Sequence, residues 1–71
     1  DFIDPAFAPG TGTPEVGGPN SFQALDVVRK LNGLNLIGAD VVEISPPFDP
    51  SGGTAFLGSS ILFEILCIMV K

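Results

Sequence analysis

The sequence predicts an α/β chain. Its order is a strand end, a long loop, a helix, a buried strand, a second loop and a buried helix, the βαβα order of a parallel sheet. Three observations carry this expectation. The first twenty residues hold four Pro and four Gly. Residues 20–31 repeat apolar side chains at helical spacing. Residues 35–44 form a short apolar run with β-branched members, followed after a turn by a longer apolar stretch.

The opening Asp1-Phe2-Ile3 reads as the end of a strand. The Pro and Gly that follow remove backbone donors and admit positive φ, so residues 1–19 form a loop. Phe2, Ile3, Phe7 and Val16 are interleaved in it, which favours a loop packed on a core. From Asn20 to Leu31 the pattern turns helical. Asn20 or Ser21 caps the N-terminus, with Gln23 as capping-box partner of Asn20. Ala24, Leu25, Val28 and Leu31 make one apolar face. Arg29 and Lys30 stand where the helix dipole favours cations, and Gly33 suits the position just past the helix.

Asn35 to Ile44 reads as a strand buried on both faces, as in parallel sheets. Ser45-Pro46-Pro47 ends it, and residues 48–53 form a turn-rich loop. Thr54 to Val70 is helical, capped by Ser51 or Thr54, and apolar almost all round. Its length touches the lower limit of a membrane span, about 17–25 residues. Glu64 near its middle would be costly in lipid, so a buried helix is the expectation. No N-terminal targeting segment is visible, and secretion is not supported.

Composition narrows the function. A chain of 71 residues is one domain at most, and alone it would bury only about 60% of its unfolded surface. Yet 45% of it is hydrophobic and 15% charged, which is greasy for a free-standing small domain. Much of it is therefore expected to lie inside something larger. The net charge of −5, with only Arg29, Lys30 and Lys71 basic, argues against nucleic acid. The absence of His removes the commonest general base and metal ligand. One Cys makes neither an internal disulfide nor a cysteine zinc site, and Cys67 reads as a buried structural thiol.

In parallel sheets, ligands bind beyond the carboxyl ends of the strands. Two stretches qualify, residues 1–4 and 43–49, and each carries carboxylates. Glu43, at the rim of a greasy strand, wants a cation or a hydrogen-bond donor. A cationic substrate group is one reading and an ion pair with a neighbouring helix is the other. Asp40 falls on the opposite strand face and is expected to bond backbone amides. Gly10-Thr11-Gly12-Thr13 lacks the Lys-Ser/Thr of a P-loop, and Glu15 stands where a dinucleotide fingerprint needs its third Gly.

The stretch Asp1-Phe2-Ile3-Asp4-Pro5-Ala6-Phe7-Ala8-Pro9-Gly10-Thr11-Gly12-Thr13-Pro14-Glu15-Val16-Gly17-Gly18 resembles the last signature of the ureohydrolases, the arginase/agmatinase family of dimanganese hydrolases. Gly38 to Asp49 is similar to the family's following strand, and Leu62 to Cys67 to its C-terminal helix. Pro-Gly after Ala8 and Pro-Glu after Thr13 look more like agmatinases and related guanidino-acid hydrolases than arginases. The resemblance implies a three-layer α/β/α fold and a small guanidino substrate. It also implies two Mn²⁺ ions held by His and Asp, and a metal-bridging hydroxide that releases urea. By the same resemblance Asp1 matches the second Asp of a metal-binding Asp-x-Asp pair. Glu43 matches the Glu that pairs with the guanidinium, Thr13 lies where the loop lines the substrate pocket, and Asp4 is second-shell or turn-forming.

The departures are as informative. The pair's first Asp and every His ligand are missing, and family chains are several times longer. Residues 1–71 are therefore expected to be the C-terminal part of a single ureohydrolase domain, incomplete at its N-terminus and inactive alone. The intact enzyme is expected to convert agmatine to putrescine and urea. Another guanidino acid such as guanidinobutyrate is the alternative substrate. A homo-oligomer in the cytoplasm, with the mitochondrion as alternative, and no membrane partner complete the expectation. The competing reading is a non-catalytic truncated relative that docks on a partner through its apolar strand and last helix.

Overall fold

A computed structural model describes residues 2–70. It contains two helices, α1 (Ser21–Arg29) and α2 (Gly53–Met69), and a 3₁₀ turn at Pro46–Phe48. The helices pack on each other.

The loop before α1 is tied by backbone geometry. The Asp4 carbonyl accepts from the Phe7 and Ala8 amides at 2.9 and 3.1 Å, and the Asp4 amide donates to the Pro19 carbonyl at 3.0 Å. Residues 4–19 thus form a closed loop. Gly18 is required at its neck, because a Cβ there would stand 2.2 Å from the Phe2 carbonyl oxygen.

The expected capping box is formed. The Asn20 side chain accepts from the Gln23 amide at 2.8 Å, and the Gln23 side chain accepts from the Asn20 amide at 3.0 Å. Lys30 is the C-cap of α1. A tighter turn then runs on through bonds such as Leu34 N–H to the Leu31 carbonyl, and the positive φ falls at Gly33, at 101°. Gly33 therefore ends this extra turn and does not follow the helix directly.

The largest departure is at residues 35–44. No strand forms among the described residues, and Ile37 and Val42 stand 92% and 67% exposed. The reason is non-local: a parallel strand is hydrogen-bonded only by neighbours, and no second strand is present to pair with it. Phe2 and Ile3 likewise belong to no strand, and Asp1 lies outside the described residues.

Helix α2 spans 17 residues and starts one before the expected Thr54. The N-cap position is Gly52 at φ 78°, and the Ser51 hydroxyl beside it accepts from the Gly53 amide at 3.3 Å. α2 is not a buried helix here. Thr54, Leu57 and Gly58 are buried, whereas Phe56, Phe63 and Leu66 are exposed, and Cys67 is half-buried. Ala24, Val28 and Leu57 are the buried apolar residues, too few for the core that the composition calls for. Glu64 finds a cation instead of lipid: its carboxylate meets Arg29 at 2.7 Å across the two helices. That pair raises the guanidinium pKa and lowers the carboxyl pKa, in each case chiefly through the hydrogen bond. Among the described residues no helix is long and apolar enough to cross a membrane.

Candidate active site

Gly10 is where the two stretches of interest meet. Its amide donates to the Thr54 hydroxyl at 2.9 Å, and its carbonyl accepts from the Ser45 amide at 2.6 Å. Thr54 in turn donates to the Asp49 carboxylate through its hydroxyl at 2.6 Å and its amide at 2.7 Å. Two side chains share the open amides of the first turn of α2: Asp49 takes that of Thr54, and the expected Ser51 takes that of Gly53 through its hydroxyl at 3.3 Å. The Asp49 carboxyl is held down at about 2, first by the Ser51 hydroxyl and then by the Thr54 hydroxyl and amide.

This junction brings the start of the loop beside the 40–44 segment. Phe2, Ile3, Thr11, Asp40 and Glu43 line one cavity of about 260 Å³, floored by α2 at Leu57. Glu43 is exposed, with φ at 70°. Asp40 lines the same cavity, against the expectation that it lies opposite Glu43 and bonds backbone amides. Strand alternation does not apply, since residues 40–43 lie in no strand among the described residues. Among the described residues neither carboxylate forms an ion pair.

The other expected site residues fall as follows. Asp1 is outside the described residues, though its neighbour Phe2 is on the cavity wall. Thr13 is exposed and stands apart from that wall. Asp4 organises the loop. Its carboxylate accepts from the Ala6 amide at 2.9 Å and the Gly17 amide at 3.0 Å, which lower its pKa in that order. Sequence reasoning missed Thr11, whose buried hydroxyl has no hydrogen-bond partner among the described residues. It also missed Asp49 and Thr54 as a unit. Their spacing, an acidic residue followed by Thr across Pro50-Ser51-Gly52-Gly53, is the signal that could have found them.

The described residues include no group of three or more His, Cys, Asp or Glu side chains able to hold a metal ion. They do not by themselves fit a metal centre.

The loop of residues 4–19, the N-terminus of α2 and the carboxylate-bearing segment 40–44 are gathered round one cavity. The model described as "Arginase family" matches residues 1–68, and the chain belongs to that family. It is 61% identical over 71 residues to a guanidinopropionase of Pseudomonas aeruginosa, covering all of this chain and 22% of the relative. It is 55% identical over 69 residues to a guanidinobutyrase of the same organism, covering 97% of this chain and 22% of the relative. The crystal structure of a hypothetical agmatinase from Burkholderia thailandensis matches with a TM-score of 0.91 and 54% identity, over 96% of this chain and 22% of that one. The chain thus spans about a fifth of the length of the relatives it matches, and its fold is that of the corresponding part of an arginase-family protein.

Proposed function

We propose that these residues belong to a manganese-dependent hydrolase that cleaves a linear guanidino compound into urea and an amine. The observation that carries this reading is the shared cavity: Glu43 faces the space that Phe2, the neighbour of Asp1, also lines. A guanidinium is a planar cation with paired N–H donors, and a carboxylate beside an apolar wall is its natural complement. Glu43 orients the substrate. Asp1 would supply one carboxylate to a manganese pair whose other ligands lie beyond residues 1–71, and the chemistry such a pair would supply is hydroxide at neutral pH. Asp4 supports that ligand by fixing the loop.

Agmatine is one substrate of this chemistry. The guanidino acids are the other, favoured by the names of the two Pseudomonas relatives. The three-layer α/β/α fold, the homo-oligomeric state and a cytoplasmic or mitochondrial setting belong to the same proposal. The test uses the full-length protein that carries these residues. Glu43→Gln should reduce urea release roughly a hundredfold or more, the scale of losing one partner of a buried charge pair, with manganese content unchanged. Loss of manganese in that variant would refute the role given to Glu43. Urea from none of agmatine, 3-guanidinopropionate or 4-guanidinobutyrate would favour the non-catalytic docking relative.

A further inference from the structure

We infer that Asp49 and Thr54 are positioning residues for Glu43, acting through the backbone of Gly10 and Ser45. The inference rests on the function proposed above. A single relay of hydrogen bonds carries it. The Ser45 amide donates to the Gly10 carbonyl, the Gly10 amide donates to the Thr54 hydroxyl, and that hydroxyl donates to Asp49. The directions are forced. An ionised carboxylate only accepts, so the Thr54 proton must point at Asp49, which leaves an oxygen lone pair for the Gly10 amide. Asp49 and Thr54 are each 7% exposed, so water competes little for these bonds. Gly10 sits so tightly that a Cβ would come within 2.9 Å of the Cβ atoms of both residues.

The relay ends two residues from Glu43. Ile44, between them, is seated on α2 so closely that its Cδ1 would lie 2.5 Å from a Cβ at Gly58. Glu43 itself occupies the left-handed region at φ 70°, which a non-glycine residue holds only when its surroundings impose it. Ser45, held by the Gly10 carbonyl, and Ile44, seated on α2, fix the chain on one side of it. Since Gly10 belongs to the loop that begins at Asp1, the same bonds set where the Glu43 carboxylate stands relative to the other end of the proposed site.

The experiment uses the full-length protein with a guanidino substrate that it turns over. Thr54→Val, alone and combined with Glu43→Gln, is compared by kcat, KM, manganese content and thermal midpoint. Thr54→Val should lower kcat/KM about tenfold or more, because small displacements at a reacting centre are costly. Manganese content should stay unchanged, and Thr54→Ser should restore most of the loss. In the Glu43→Gln background Thr54→Val should add almost nothing, because the group it positions is already gone. Asp49→Asn provides a milder variant, should Thr54→Val fail to fold, with a smaller loss and the same dependence on Glu43. Equal fold-losses with and without Glu43 would overturn the positioning role. A Glu43→Gln enzyme as active as its parent would overturn the proposed function instead.

Discussion

Gly18→Ala is the sharpest perturbation that the loop allows. The added Cβ would lie 2.2 Å from the Phe2 carbonyl oxygen, 2.9 Å from the Asp4 amide nitrogen and 3.2 Å from the Ile3 carbonyl carbon. All three are backbone atoms, so no side chain can swing aside. Carbon–oxygen contacts settle at about 3.3–3.6 Å, so Phe2 and residue 18 must separate by roughly 1 Å. Overpacking of this kind costs about 1–3 kcal/mol. The more telling effect is local. Phe2 is bonded to Asp1, the proposed ligand, and misplacing a reacting group by about 1 Å can cost a hundredfold in rate. In the full-length protein, Gly18→Ala should therefore lower manganese occupancy, measured by elemental analysis, and urea release together. Gly38→Ala is the comparison, since among the described residues nothing lies within 4 Å of a Cβ there. It should leave the thermal midpoint unchanged or slightly raised, as expected where Ala only restricts the unfolded chain. Full metal occupancy and parental turnover in Gly18→Ala would refute the assignment of this loop as the support of a metal ligand.

Two further predictions concern stability. The Asp49 carboxyl is depressed to about 2 from an ordinary 3.8. A carboxyl held lower in the folded state stabilises the fold above its unfolded pKa and loses that contribution as pH falls through its folded pKa. Stability should therefore drop between about pH 4 and pH 2, and Asp49→Asn should flatten that part of a urea-midpoint profile. A slope that survives the substitution would assign it to other carboxyls, of which Asp4, also depressed, is the first candidate. Asn20→Ala removes the acceptor of the Gln23 amide and should cost about 1 kcal/mol. It should also speed hydrogen exchange at the first turn of α1, and unchanged exchange there would mean that the capping box is not what holds the turn.

What was legible in the sequence was whatever is decided locally. The capping box of α1 depends on two side chains three residues apart, so Asn20 and Gln23 announced it. The extent of α2 follows from a long run without Pro, and it starts one residue before Thr54, at Gly53, whose amide the Ser51 hydroxyl accepts. The strand at 35–44 was read from β-branched composition, and composition measures only how well side chains suit a sheet. Whether a strand exists depends on neighbours, and the described residues supply none. Motif matching reached Glu43 and the start of the loop without any knowledge of that pairing. It did not reach Thr11 or Thr54, because a hydroxyl acquires a role only from what folding brings beside it.

The position of Asp40 shows how one backbone angle alters the electrostatics of the site. On a regular strand, residues three apart point to opposite faces, so only one of Asp40 and Glu43 could face the cavity. With Glu43 at φ 70° and no ladder to enforce the pleat, both line it. Two carboxylates beside one largely apolar wall repel each other and raise the pull on any cation that enters, more strongly than either would in water. A guanidinium can spread its charge between two such groups, since its donors lie along more than one edge of the plane. Under the proposed function the left-handed residue would bear on the chemistry: relaxing it would alter which of the two carboxylates stands at the cavity meant for a guanidino group.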